Sequence, residues 1–285
     1  MNKTIIKAPS IMMNKLEDLF IEMTSQNCNL HCKHCFKEFK DKKVKDFISI
    51  EKVKQAFTMI DKNELQYIHL TGAEPMLHKE FNHILRLCLK YSSVIIHTNA
   101  LNINDKKARF LRKVEEENSL GNEIVFIISI DHYDEKINDE LRGRGAFRKA
   151  FHAIQSLIKY DFNPIISIVN YWKLDENELK LNFKQLFSTI NFETTDINFK
   201  ILPYIEKDKF CQMPDDISKV KTECSRGRTL TINGIFTCPL LANDNRGMCG
   251  SDFSDYTKRN YLETCFCSQC VNSSKPLFCI DTYEM

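Results

Sequence analysis

The chain has 285 residues, 40 Lys and Arg against 38 Asp and Glu for a formal net charge of +2, and a hydrophobic fraction of 43%. That length accommodates one large α/β domain with a smaller appendage, and the near-neutral charge argues against working by attraction to nucleic acid or an anionic membrane. The longest apolar stretch, 124–130, falls far short of the ~20 residues a membrane-spanning helix needs, and residues 1–14 carry no secretory pattern, so a cytoplasmic chain is expected.

In chain order, β-type runs fall at 19–24, 67–70, 94–97, 124–130, 165–169 and 197–202. Helix-period segments lie between them. Residues 50–60 set Ile50, Val53, Phe57 and Ile60 on one face, and 79–91 do so with Phe81, Ile84, Leu85 and Cys88. A helix over 105–117 is expected to start at an Asp105 cap; 146–160 repeats Phe147, Ala150, Phe151, Ile154 and Ile158; 175–190 repeats Leu179, Phe183, Leu186 and Ile190 behind an Asp175 cap. Six β/α alternations make an α/β chain with a parallel sheet, whose sites form at the carboxyl ends of strands. The positions to inspect are Cys28 onward, 71–75, 98–100, Asp131 and Asn170. Residues 203–223 lose the periodicity and read as a linker. Beyond it, 228–231 and 235–237 flank Asn233-Gly234, a hairpin signal. The rest, to 285, is turn-rich, dense in cysteine and short of apolar residues, so metal or docking is expected to hold it.

The twelve cysteines are unevenly spread: three lie between 28 and 35, one is Cys88, and eight lie between 211 and 279. Clustered cysteines in a chain without a signal peptide point to metal or redox chemistry. Cys28, Cys32 and Cys35 form a C-x3-C-x2-C run directly after the first strand. Three thiolates on one loop can hold three irons of a cubane and leave the fourth open. A zinc loop joined by His31 or His34 is the alternative.

Here the sequence resembles the radical SAM superfamily, whose signature is C-x3-C-x-aromatic-C after the first strand of a partial (β/α)6 TIM-like barrel. The resemblance covers about 19–202, giving a barrel over 1–202. Thr71-Gly72-Ala73-Glu74-Pro75 resembles the family's Gly-Gly-Glu-Pro motif, which implies that this backbone and Glu74 hold the amino group of S-adenosylmethionine (SAM). Thr98-Asn99 resembles an element near the SAM ribose. His34 stands where an aromatic residue is usual and can stack near adenine. Ala73 replaces the second glycine, which is tolerable where no positive φ is needed. The resemblance implies a SAM-binding [4Fe–4S] cluster that cleaves SAM reductively to a 5′-deoxyadenosyl radical, which takes a hydrogen atom from substrate. An external one-electron donor, such as flavodoxin or ferredoxin, is implied with it. Ser129, Asp131 and Asn170 are either SAM or substrate contacts or strand-end turns and caps. Arg142, in a Leu-Arg-Gly-Arg-Gly run similar to that of peptide-modifying members, either reaches the SAM carboxylate or is a surface loop arginine.

Cys224, Cys238, Cys249, Cys265, Cys267, Cys270 and Cys279 form the second centre. A cysteine before a hairpin, one after it and a distant C-x2-C pair resemble the shortened SPASM, or twitch, extension with its auxiliary [4Fe–4S] cluster, over 224–285. Cys224, Cys238, Cys267 and Cys270 are the implied ligands, with Cys265 or Cys279 as substitutes and a structural zinc knuckle as the alternative. Cys88 reads as core. Cys211, in the linker, is either a hydrogen donor facing the site or an ordinary thiol. The implied substrate is a ribosomal peptide or protein side chain. The alternatives are a small-molecule radical SAM dehydrogenase and a non-catalytic zinc-binding interaction protein. The early start of the barrel leaves no preceding peptide-recognition domain, which weighs slightly against the peptide.

Overall fold

The computed structural model describes residues 8–37, 46–214, 216–217, 222–273 and 276–279. Six strands, β2 (Asp18–Glu22), β3 (Tyr67–Thr71), β4 (Ser93–Thr98), β5 (Ile124–Ser129), β6 (Ile165–Asn170) and β7 (Phe199–Pro203), run parallel in sequence order. Helices α1 (Ile50–Met59), α2 (Phe81–Cys88), α3 (Asp105–Glu116), α4 (Glu135–Arg142), α5 (Ala146–Lys159) and α6 (Glu176–Ser188) connect them. This is the partial (β/α)6 barrel. β1 (Ser10–Met12) stands outside it.

Period-two alternation divides the strands between two environments. Leu19, Ile21, Ile68, Leu70, Ile96, Ile128 and Ile168 face the helices and join Phe57, Ile84, Leu111, Ile154 and Phe183 in the main core. Each such burial stabilises by roughly 1.5–3 kcal/mol. Cys88 is fully buried among them, as expected. The opposite residues, including Asp18, Phe20, His69, Ile95 and His97, turn inward.

The caps explain several boundaries. Asp175 accepts from the N–H groups of Asn177 and Glu178, as the sequence predicts. α3 starts differently: Asn104 is the cap, accepting from Lys107 N, while Asp105 sits in the first turn and pairs with Lys159. α4 was not expected. Its sequence is strongly charged, yet it has an Asp134 cap and a Gly143 stop at φ +116°.

After β7, β8 (Gly227–Thr231) and β9 (Gly234–Phe236) form the expected hairpin. β8 lies parallel to β2, with Asp18 opposite Gly227, and β10 (Met248–Gly250) follows on β9. The hairpin therefore continues the barrel sheet, giving nine strands in the order β10-β9-β8-β2-β3-β4-β5-β6-β7. β11 (Arg259–Tyr261) pairs with β1, and α7 (Cys265–Asn272) packs beyond it. No helix among the described residues is long and apolar enough to cross a membrane.

Candidate active site

A cavity of about 210 Å³ opens at the carboxyl ends of the strands. Cys28, Cys32 and Cys35 line it from the loop after β2, together with His34. Asn99 anchors the loop on one side, its Nδ2 lying 3.7 Å from Cys28 Sγ and 2.7 Å from Asn29 Oδ1. α4 anchors the other side: Lys33 N donates to Leu141 O at 2.9 Å, and Cys32 Sγ lies 3.8 Å from Arg142 O. Burial pushes the Cys28 thiol up to about 11 and raises Cys32 as well, against the pull of the Arg142 guanidinium. Thiols so placed become thiolates only when a bound cation holds them.

The 71–75 turn is shaped by contact with the chain before the cysteine loop. Gly72 has φ +123°, and a Cβ there would lie 2.3 Å from Thr24 O. Ala73 is not among the positive-φ residues, so its methyl is accommodated. Its N–H donates to Thr24 O at 2.8 Å, and Glu74 N donates to Asn27 O at 3.0 Å. Thr71, Gly72 and Ala73 line the cavity. Glu74 is fully buried instead, and its carboxylate accepts from Met76 N at 3.0 Å, Thr98 Oγ1 at 2.8 Å and Asn99 N at 2.9 Å. Its side chain clamps the ends of β3 and β4 together. Pro75 is buried as the first residue of a 3-10 turn.

Arg142 is the clearest departure from a surface-loop reading. It is the last residue of α4, buried, and lines the cavity. Its Nε lies 2.5 Å from Asp131 Oδ2 and its Nη2 3.1 Å from Oδ1. Asp131 also accepts from Val169 N at 2.9 Å and meets His34 Nε2 at 3.3 Å. Burial lowers His34 to about 4, so the imidazole beside Asp131 is uncharged at neutral pH. Ser129 lines the cavity. Asn170 does not; it closes a turn through both main-chain groups of Leu174. Cys211 lies away from the cavity lining, its N–H on Ser268 Oγ at 2.9 Å.

Inward-facing His97, Ser167 and Lys200, with Leu277 and Phe278 from the C-terminal segment, complete the walls. Strand alternation was the available signal for the first three. Burial, with His69 and Lys200 beside it, holds His97 well below its ordinary value. No acidic side chain lines the cavity among the described residues; Lys37, Arg142 and Lys200 do.

The second cysteine centre closes around a smaller cavity. Cys224, Cys238, Cys267 and Cys270 line it with Leu241, Asn260 and Val271. Thr222 Oγ1 lies 3.1 Å from Cys224 Sγ, and Thr264, the cap of α7, lies 3.2 Å from Cys267 Sγ. Burial pushes Cys224 up to about 11 and Cys238 and Cys270 well above the usual thiol range. The helix α7 that presents Cys267 and Cys270 was read from the sequence as turn. Cys265 instead bonds Lys207 O at 2.6 Å, Cys249 lies 3.6 Å from Gly247 O, and Cys279 meets Asp18 Oδ2 at 3.4 Å.

The spacing of the sulfurs bears on what they hold. Zinc, with Zn–S of about 2.3 Å, draws its sulfurs to within about 3.8 Å of one another. Among the described residues, the one cluster of three donors within 4.8 Å of each other is Asp18, His69 and Cys279. No three thiols of either cysteine set therefore lie within 4.8 Å of one another among the described residues. Beside the second set, Arg228 Nε and Asn260 Oδ1 are buried without a partner.

A family model described as the radical SAM superfamily matches residues 23–181. The chain is 28% identical over 135 residues to the antilisterial bacteriocin subtilosin biosynthesis protein AlbA of Bacillus subtilis, covering 47% of this chain and 29% of AlbA. It is 25% identical over 155 residues to mycofactocin maturase MftC of Mycolicibacterium smegmatis, covering 52% of this chain and 38% of MftC. The chain thus spans about a third of the length of these relatives. Among solved structures, Streptococcus suis SuiB bound to precursor peptide SuiA superposes with a TM-score of 0.64 at 14% identity, over 87% of this chain and 64% of that one. Native anSMEcpe with bound AdoMet gives 0.63 at 16% identity, over 90% and 84%.

Proposed function

We propose a function from one premise: the chain belongs to the radical SAM superfamily and is a radical SAM enzyme. In our reading Cys28, Cys32 and Cys35 hold the [4Fe–4S] cluster, SAM occupies the strand-end cavity, and the substrate is a peptide whose side chain loses a hydrogen atom. Reduced by an external one-electron donor, the cluster held there would supply the electron that cleaves SAM to methionine and a carbon-centred radical. The chain's own residues fix geometry. Asn99 and α4 hold the cysteine loop from both sides, the 71–73 backbone offers polar groups to SAM, and Arg142, oriented by Asp131, presents positive charge to its carboxylate. The enclosing walls exclude water from the reacting atoms.

One observation carries this reading: three cysteines on one loop line the same cavity as the ends of β3, β4 and β5. A peptide substrate is favoured by the names of AlbA and MftC, a bacteriocin biosynthesis protein and a maturase. An auxiliary [4Fe–4S] cluster at Cys224, Cys238, Cys267 and Cys270 is supported by their convergence on one small cavity and by the buried Arg228, whose guanidinium bonds the Cys224 carbonyl. It would accept the electron that an oxidised peptide must give up.

The test is anaerobic reconstitution of wild type and a Cys28→Ala/Cys32→Ala/Cys35→Ala variant with iron and sulfide. About eight irons in wild type and about four in the variant are expected, with 5′-deoxyadenosine formed from SAM and dithionite by wild type alone. Stoichiometric zinc without reconstitutable iron or deoxyadenosine would sink the proposal.

A further inference from the structure

Arg228 is the largest fully buried side chain among the described residues. It is the second residue of β8, opposite Leu19. Its Nη1 donates to the carbonyls of Gly227 at 2.7 Å and Cys224 at 3.1 Å, and its Nη2 to Thr257 O at 3.1 Å. The ring of Tyr256 lies 5.9 Å from its centre. Nε has no partner, and no carboxylate pairs with the group among the described residues.

A guanidinium does not shed its proton in a protein. Burying one without an anion costs several kcal/mol, and carbonyl dipoles offset only part of that cost. The groups that act on it electrostatically are Cys249 first, then Cys224, Tyr256 and Cys238, and buried thiols of this kind become anions only when a metal holds them. Two of these belong to the converging set of the second cavity. The cation is thus tied to this centre through its 3.1 Å bond to the Cys224 carbonyl, buried where charge interactions are weakly screened.

We infer that Arg228 is the built-in counter-charge of the auxiliary cysteine centre and raises the reduction potential of the group held there. This rests on the auxiliary-cluster reading above. A fixed positive charge favours the reduced state, which carries one more negative charge than the oxidised state. Charge and hydrogen bonding around the sulfurs are among the factors that set such potentials. The consequence is directional: Arg228 biases this centre towards accepting electrons, as an oxidation of substrate needs.

The experiment uses the full chain carrying Cys28→Ala/Cys32→Ala/Cys35→Ala, so that the auxiliary centre alone is titrated. Arg228, Arg228→Lys and Arg228→Met forms are reconstituted with iron and sulfide and followed by potentiometric titration with electron paramagnetic resonance. Iron content and circular dichroism are measured alongside. Arg228→Met is expected to make reduction at least tenfold less favourable, 59 mV or more for one electron, with Arg228→Lys in between. Equal potentials in the Arg and Met forms overturn the inference, and so does a Lys form as low as the Met form. Where the Met form holds no iron, retention by the Lys form supports the charge role; loss from both with native circular dichroism overturns it. An Arg228 parent with no iron at all fails at an earlier step: it removes the auxiliary cluster, and this inference with it, while deoxyadenosine formation by wild type still stands.

Discussion

Gly72 and Ala73 are neighbours that tolerate a side chain differently. A Cβ on Gly72 meets a backbone oxygen at 2.3 Å on a residue already at φ +123°. Gly72→Ala is therefore expected to destabilise by about 2 kcal/mol or more, read as a lower denaturant midpoint, whereas Ala73→Gly should change it by less than about 1 kcal/mol. Equal effects would show that the turn relaxes freely. Glu74 makes a pH prediction. Burial outweighs its three donors and raises the carboxyl to about 7 from 4.5, so the folded chain holds this proton more tightly than the unfolded chain. Stability contributed by the protonated form is present below 4.5 and is lost as pH rises through 7, by up to about 3 kcal/mol. Glu74→Gln removes that titration. The wild-type minus variant difference in unfolding free energy should shift against wild type between about pH 5 and pH 8; a pH-independent difference would refute it. The glycine and the cysteines at this site were legible because their chemistry depends on residue type and spacing. The role of Glu74 as a clamp was not, since nothing in the sequence tells a ligand-facing carboxylate from one stapling two strands.

At the scale of elements, five helices and six strands were legible from periodicity because each buries a continuous apolar face. α4 escaped because only Ile137 and Leu141 mark its apolar face in Glu135–Arg142; the Asp134 cap and Gly143 stop were the overlooked signals. That omission made Arg142 look like a loop residue. In the structure α4 is the platform for the cysteine loop, and its hold on the barrel runs through the Arg142–Asp131 pair. Arg142→Met leaves the Asp131 carboxylate buried beside His34 with no cation, at a cost of about 3–5 kcal/mol. Adding Asp131→Asn should recover part of that loss. Chemical denaturation of the two single variants and the double variant gives the coupling. Additive losses would mean that the pair does not hold the helix.

At the scale of the molecule, the sequence separates a barrel over 1–202 from an extension over 224–285, while the strand pairing joins them. Pairing partners cannot be read from one chain's periodicity: β8 reads as half of a hairpin, and nothing in 227–231 announces that its other edge lies along β2. Every residue of β2 is buried, and it carries both the approach to the cysteine loop and the edge that β8 covers. Lys200 on β7 bonds Pro276 O at 3.0 Å, and Phe278 N donates to Glu223 Oε1 at 2.7 Å, so the C-terminal segment also closes the cavity wall. A fragment of residues 1–202 would expose the β2 edge with its buried Leu19 and Ile21, an invitation to edge-to-edge association. Such a fragment is expected to be recovered aggregated, while the full chain unfolds in one transition. The chain's one tryptophan, Trp172, stands just after β6 at the mouth of the barrel, so its fluorescence reports the barrel while far-ultraviolet circular dichroism reports all the helices. Coincident guanidinium curves from the two probes are the signature of one cooperative unit. A monomeric, folded 1–202 fragment with native Trp172 fluorescence would show instead that the barrel stands without its three-strand extension, and that the β2–β8 pairing only docks a separable module.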